Sequence, residues 1–236
     1  MDSSRIHVQY NGVNLDAFGA CAMQESGPSL RRELGISDDS QLVVSIGQLG
    51  LRKATHRFVE CAARLADEFP LCHWLVIGER HSTKHEAIEY EARIRRLAED
   101  PRLSGRIHFL GRRQDVPRVL QQCDLLVHTA VQEPLGRVLL EAAASGLAVV
   151  ATDVGGTREI FPENSMASIV AVEPSDSALD RLVSAVRPIL SEPATRSSMG
   201  FAARQQAEKC FNAAERGVEL ARHYYGAAGV VPPQHL

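Results

Sequence analysis

The chain has 236 residues, 44% of them hydrophobic, which is enough to build the buried core of one large α/β domain or of two small ones. It carries 26 lysine and arginine residues against 29 aspartate and glutamate residues, so its net charge is −3. Because acidic and basic residues are interspersed, the composition excludes the basic surface that gathers nucleic acid or anionic lipid.

Five cysteines stand far apart in the sequence, most of them among apolar residues: Cys21, Cys61, Cys72, Cys123 and Cys210. An odd number at wide spacing predicts free thiols in a reducing compartment rather than a disulfide framework, so we expect a cytoplasmic protein. No apolar run approaches the roughly 18 residues of a membrane span, and the N-terminus lacks the charged-then-apolar order of a signal peptide. The composition is therefore typical of a soluble globular protein.

Residues 1–40 differ in pattern from the rest of the chain. Asn11-Gly12 predicts a turn, the polar residues 24–28 predict a linker, and a short helix is expected to end at Gly35. We predict that residues 1–40 form an interdomain linker and a short helix.

Short apolar runs then alternate with segments of helical period between residues 41 and 192. The apolar runs are Leu42–Gly47, Trp74–Gly78, Ile107–Gly111, Leu125–His128, Ala148–Ala151 and Ser168–Val172. They are typical of strands buried on both faces, and Arg57–Glu68 and Lys84–Glu99 are typical of the helices between them. The alternation predicts an α/β fold with a doubly wound, Rossmann-like parallel sheet, whose ligand crevice lies beyond the carboxyl ends of the strands. A helical segment over residues 193–236 is expected to pack on the same domain.

The loop after the first predicted strand runs from Gly47 through Gln48 to Arg52 and Lys53. Its glycines let the backbone approach an anion, and Lys53 adds a positive charge at the start of the next helix. The loop matches neither a P-loop nor a dinucleotide-binding fingerprint. Taken alone, it is equally consistent with a solvated lysine beside a flexible turn.

The segment from Glu133 to Glu141 combines two carboxylates with a glycine turn at the start of a predicted helix. Because Pro134 has no N–H, the free donors at the helix start belong to the residues after it. These residues are Leu135, Gly136, Arg137 and Val138. Such donors suit a diphosphate, and they would stabilise the charge that grows on it when a glycosyl bond breaks, without a metal ion.

The two carboxylates each have an ordinary alternative reading. Glu141 lies among apolar helix residues, where a carboxylate needs a partner such as the hydroxyls of a ribose, but it is also consistent with an exposed helix face. Glu133 is also consistent with an acidic loop residue near a helix start. For each carboxylate, the binding role and the ordinary structural role both remain open.

Two further features carry weaker signals. Gly155-Gly156 predicts a turn at the same edge of the sheet, although such turns are common in purely structural loops. The nine histidines have no Cys or carboxylate neighbours at metal-ligand spacing, so no metal site is expected. His128 is the one histidine considered for a functional role, because it ends a predicted strand and precedes the loop that leads to Glu133.

Taken together, these motifs resemble the C-terminal, nucleotide-sugar-binding domain of retaining glycosyltransferases of the GT-B fold (glycosyltransferase family four, group 1). The most specific motif is Glu-x7-Glu, present as Glu133 and Glu141. Supporting motifs are Phe109-Leu-Gly111, Gly155-Gly156-x2-Glu159 and Asn11-Gly12-Val13-Asn14, the last similar to the family's crossover between its two domains. The resemblance covers about residues 10–225, and it implies one half of a GT-B architecture.

The resemblance implies a role for each site residue. Glu133 is the catalytic residue and faces the hydroxyls of the donor sugar, Glu141 faces the ribose, and the main chain at Arg112 faces the base. The donor is bound by Gly47, Gln48, Arg52, Lys53, Leu135, Gly136 and Arg137. Of these, Leu135, Gly136 and Arg137 face the diphosphate, and Lys53 neutralises its charge. The donor is a nucleoside-diphosphate sugar, and neither a metal nor another cofactor is expected.

The chain departs from the family pattern at two positions. Where the family has Gly-Arg and then Lys-Gly, this chain has Gly47-Gln48 and Lys53-Ala54, so one phosphate-binding cation is missing unless Arg52 replaces it. The resemblance also implies that an N-terminal acceptor-binding domain is missing, so we expect the chain to bind a donor without efficient turnover. Any peripheral membrane association would occur only through that missing half.

The leading hypothesis is therefore the donor-binding domain of a metal-independent, retaining hexosyltransferase. The first alternative is a non-catalytic nucleotide-sugar-binding or scaffold domain, which the Gln48 substitution favours. The second is one half of a sugar-nucleotide epimerase. The sequence does not identify the base, the sugar or the acceptor.

Overall fold

The computed structural model of the chain describes residues 8–19, 28–173 and 177–231. Cys21, residues 24–27 of the predicted linker and both ends of the chain lie outside these ranges.

Six parallel strands form one sheet in the order β3-β2-β1-β4-β5-β6. The strands are β1 (Gln41–Ile46), β2 (Cys72–Ile77), β3 (Ile107–Gly111), β4 (Leu125–His128), β5 (Ala148–Thr152) and β6 (Ser168–Val170). The predicted doubly wound, Rossmann-like sheet is confirmed, and the strand bounds match the predicted runs at six of the twelve ends and differ by one or two residues at the other six.

Helices cover both faces of the sheet and build two apolar layers. On one face lie α2 (Thr55–Leu65), α3 (His85–Ala98) and α7 (Ala178–Ser191); on the other lie α1 (Leu30–Leu34), α4 (Val116–Gln122), α5 (Arg137–Ala144), α6 (Thr157–Ile160) and α8 (Pro193–Cys210). Successive strand residues point to opposite faces, so Val43 packs in the first layer while Leu42 and Val44 pack in the second. This two-sided burial explains why the strands read as continuous apolar runs.

The C-terminal helices continue the second layer and then leave it. Helix α8 contacts α5 and β5, and a Cβ atom at Gly200 would lie 2.0 Å from the carbonyl oxygen of Gly146, so only glycine permits this close approach. The N-terminal segment joins here, because Val13 N–H donates to the Phe211 carbonyl at 2.7 Å. Helix α9 (Ala213–Ala228) has no buried residue, and Tyr224 is 70% exposed. In the described part of the chain, no helix has the length and apolar character needed to cross a membrane.

Candidate functional site

The candidate site lies where the order of the strands reverses. Strand β1 pairs with β2 on one side and with β4 on the other, so the chain leaves β1 and β4 towards opposite ends of the sheet. In doubly wound folds this reversal opens a crevice beyond the carboxyl ends of the two strands. The loop after β1 and the loop after β4 form its two walls.

Two adjoining cavities of about 330 Å³ and 480 Å³ fill this crevice. Nine of the ten residues predicted for the site line one or both of them. They are Gly47, Gln48, Arg52, Lys53, Glu133, Leu135, Gly136, Arg137 and Glu141. Arg112 lines neither cavity, because it follows the edge strand β3.

The two walls are joined by hydrogen bonds and by an ion pair. The hydroxyl of Thr129 donates to the carbonyl of Lys53 at 2.9 Å, and the N–H of Val131 donates to the carbonyl of Arg52 at 2.8 Å. Across the crevice, Lys53 Nζ contacts Glu133 Oε2. The Lys53 side chain lies over Gly47, where an added Cβ would be 3.3 Å from Lys53 Cε. The loop glycine therefore leaves room for the lysine that reaches Glu133.

Glu133 is held as a carboxylate by its two neighbours. His128 and Lys53 lower the pKa of Glu133 to about 2, although its burial acts in the opposite direction. His128 Nε2 lies 3.8 Å from Glu133 Oε2, which is longer than a hydrogen bond. Burial lowers the pKa of His128, so the ring is neutral beside the charged pair. At neutral pH, Glu133 is therefore an acceptor for hydroxyl groups and not a proton donor.

The start of α5 presents unpaired amide groups to the same crevice. Gly136 immediately precedes the helix and has φ +91°. Glycine adopts this positive φ readily. In the described chain, no acceptor is found for the N–H groups of Leu135, Gly136, Arg137 or Val138. These unpaired donors and the positive end of the helix dipole lie where the sequence predicts an anion to bind, and anion binding at this position stays a prediction.

Glu141 lies one turn further along α5 and is largely covered. Its side chain is 15% exposed, and Oε1 lies 3.2 Å from Nη2 of Arg137, whose side chain is 82% exposed. The structure thus places Glu141 on the crevice side of the helix and not on an open surface. The Arg137 side chain pairs with Glu141, so its backbone N–H is the group left for an anion.

The Gly155-Gly156 turn has a supporting role that its sequence does not reveal. A Cβ atom at Gly155, where φ is +50°, would lie 1.7 Å from the carbonyl oxygen of Glu133. The N–H of Gly156 donates to the carbonyl of Pro134 at 2.8 Å. This turn therefore packs directly on the backbone of the Glu133 loop and sets its position.

At Arg112, the main-chain N–H donates to Glu79 Oε1 at 3.1 Å. The amide predicted to face a nucleobase is therefore bonded to a side chain from the loop after β2. The same carboxylate oxygen lies 3.3 Å from where a Cβ of Gly111 would be, so Glu79 packs closely on this turn. The predicted base contact of Arg112 stays a prediction.

Within residues 8–19, 28–173 and 177–231, no group of three or more His, Cys, Asp or Glu side chains is arranged to hold a metal ion. Cys61, Cys72, Cys123 and Cys210 are free thiols. Burial raises the pKa of Cys61 to about 12, so this thiol is unreactive.

Comparison with known families identifies the chain. The family model for glycosyl transferases group 1 matches residues 27–206. The chain belongs to this family. A curated relative is the lipopolysaccharide glucosyltransferase WaaG of Escherichia coli (strain K12), which is 30% identical over 208 residues, or 88% of this chain and 52% of WaaG. The chain spans about half the length of the curated relatives it matches.

Solved structures show the same fold at lower identity. Anabaena Alr3699/HepE, crystallised with UDP and glucose, matches with a TM-score of 0.80 and 22% identity over 93% of this chain and 57% of its own. The C-terminal domain of the group 1 glycosyl transferase LpcC from Francisella tularensis matches with a TM-score of 0.69 and 19% identity, over 85% of this chain and 99% of that domain. The predicted GT-B relationship is confirmed.

Proposed function

We propose that this chain is the donor-binding half of a retaining, metal-independent hexosyltransferase that uses a nucleoside-diphosphate sugar. The observation that carries the proposal is the meeting of Lys53, Glu133 and the free amides of α5 in one crevice. A phosphate-binding group and a sugar-binding group are thus a few ångströms apart, as the two ends of such a donor require. The presence of UDP in the HepE structure supports the same class of ligand.

Each group has a distinct task in this proposal. The amides of Leu135 to Val138 hold the diphosphate and stabilise the negative charge that develops as it leaves the sugar. The Lys53 ammonium adds a point charge to the same group, and Arg52 replaces the arginine that the family has at Gln48. Glu133 accepts hydrogen bonds from the sugar hydroxyls, and Glu141 accepts them from the ribose. The amide donors and Lys53 stabilise the negative charge of the diphosphate, so no metal ion is required.

The second half of the enzyme is part of the proposal. The chain covers 57% of HepE but 99% of the isolated LpcC domain, which supports a C-terminal, donor-binding half. Helix α9 exposes apolar residues such as Leu220 and Tyr224, and it begins beside Val13. A domain that precedes Val13 in the chain could therefore pack on this exposed helix. We expect this half to bind the acceptor and the isolated chain to turn over little donor.

The Gln48 substitution favours one alternative, a nucleotide-sugar-binding domain without catalytic activity. Gln48 lines both cavities and adds no charge where the family has arginine. Glu133→Gln in the full-length enzyme separates the two functions, because a catalytic site loses turnover while a pure binding domain has none to lose. No observation favours the epimerase alternative, and membership of the glycosyl transferases group 1 family gives it no support.

The direct test is calorimetric titration of the chain with UDP, GDP and ADP and their hexose conjugates, in buffer with EDTA. We expect one nucleotide to bind, and Lys53→Ala to weaken that binding by roughly tenfold, since it removes one charge-assisted contact. Lys209→Ala is the matched control, because it removes the same charge from an exposed position on α8. Binding that requires a divalent ion, or that Lys53→Ala leaves unchanged, would refute the proposed site.

A further inference from the structure

His128 is a buried polar residue at a position where an apolar side chain would fit. It ends β4, whose other residues are Leu125, Leu126 and Val127, and it is 4% exposed. Both ring nitrogens are buried, and neither has a hydrogen-bond partner within the described part of the chain. Burying an imidazole without partners is unfavourable, because its hydrogen bonds to water are lost. Such a group in a native core requires an explanation.

The position of the ring indicates what this residue does. Its Nε2 atom lies 3.8 Å from Glu133 Oε2, the same oxygen that Lys53 contacts. A shift of about 1 Å would bring these two atoms to hydrogen-bond distance. Lys53 and Glu133 are the charged groups that act on the ring, and its burial keeps it neutral with one N–H to donate.

Binding of a diphosphate changes the partners of Glu133. In the proposed function, Lys53 neutralises the diphosphate, so its ammonium is drawn away from the carboxylate. Glu133, with 15% of its side chain exposed, then lacks the contact that compensates its burial. A neutral N–H donor beneath it supplies that contact without adding a second cation that would compete for the diphosphate.

We propose that His128 is a positioning residue, which holds the Glu133 carboxylate in place when Lys53 pairs with a bound nucleoside diphosphate instead of with Glu133. This role rests on the proposed function, because the exchange of partners requires an anion in the crevice. It does not make His128 a catalytic residue, since the ring contacts Glu133 and lines neither cavity.

The first test measures the Glu133 carboxyl directly and needs no ligand. Its side-chain ¹³C signal is followed between pH 3.5 and 7 in the wild-type chain, in Lys53→Ala and in Lys53→Ala/His128→Leu. A carboxyl with a pKa of about 2 does not titrate in this range, so the wild type should be silent. We expect the Glu133 signal of Lys53→Ala to shift little over this pH range, because His128 still stabilises the carboxylate. In the double variant the signal should shift as the carboxyl titrates.

A third variant separates this role from simple packing. Lys53→Ala/His128→Gln restores an N–H donor, so the Glu133 signal should become silent again. If Lys53→Ala alone titrates as fully as the double variant, His128 does not hold the carboxylate and the proposal is wrong. A glutamine variant that titrates like the leucine variant would contradict it as well.

The second test asks whether the contact matters for the donor, with UDP and UDP-glucose, and GDP and GDP-mannose, as probes. We expect His128→Leu to lower the ratio of sugar-nucleotide affinity to nucleotide affinity by about tenfold, and His128→Gln to recover most of it. An unchanged ratio in a chain that binds nucleotide would overturn the role of His128 alone. Failure of the wild type to bind any probe would overturn the exchange step and the proposed function together, while the ¹³C titration still reports the contact.

Discussion

The contact between Gly155 and the Glu133 loop allows a sharp test of how the site is positioned. In Gly155→Ala, the new Cβ would lie 1.7 Å from the carbonyl oxygen of Glu133, and such contacts are essentially never shorter than 3.0 Å. The loop or the turn must therefore move by at least the difference, about 1.3 Å. Alanine at φ +50° adds backbone strain of about 1–2 kcal/mol.

A displacement of this size should affect both folding and ligand binding. The strain corresponds to a fall in melting temperature of about 2–8 °C for a chain of this length. The shift also disturbs the bond from Gly156 N–H to the Pro134 carbonyl, and with it the amides that follow Pro134. We expect affinity for the nucleotide sugar to fall roughly 10- to 100-fold, which equals about 1.4–2.8 kcal/mol.

The assay combines thermal unfolding with calorimetric titration of the nucleotide that the wild type binds. Gly217→Ala is the matched control, since the same methyl group meets no atom within 4 Å in α9 and favours the helix. It should keep the wild-type affinity. If Gly155→Ala binds as tightly as this control, the Gly-Gly turn does not set the position of the Glu133 loop.

Three further predictions use other parts of the molecule. Because the pKa of Glu133 is lowered to about 2, its charge stabilises the fold above pH 4.5, and this stabilisation is lost as the pH falls from 4.5 towards 2. Chemical denaturation across this range should show a steeper loss of unfolding free energy for the wild type than for Glu133→Gln, and equal slopes would contradict the assignment. Glu141→Gln should weaken UDP binding but leave pyrophosphate binding unchanged, and an equal loss for both would exclude a ribose contact. Phe211→Ala removes a side chain that is 1% exposed and should cost about 3–5 kcal/mol, whereas Tyr224→Ala, at 70% exposure, should stay within about 0.5 kcal/mol in the same unfolding experiment. Similar costs for Phe211 and Tyr224 would mean that α9 is packed.

The local pattern of the sequence is enough to predict the sheet and most of the loop residues that line its crevice. Continuous apolar runs such as Leu42 to Ile46 indicate strands covered on both faces, because each face of the strand meets a helix layer. Glu133, Pro134 and Gly136 indicate an anion site at a helix start, because the missing proline N–H and the glycine conformation are properties of the residues themselves.

The contacts that make these residues one site come from the tertiary structure. Lys53 and Glu133 are 80 positions apart and meet only because β1 and β4 are neighbours in the sheet. Gly155 supports Glu133, and Glu79 occupies the N–H of Arg112, through approaches between loops that no periodicity records. Local sequence reports each residue's own conformational and chemical preferences, whereas the distances between loops depend on strand order, and strand order depends on how the whole chain packs.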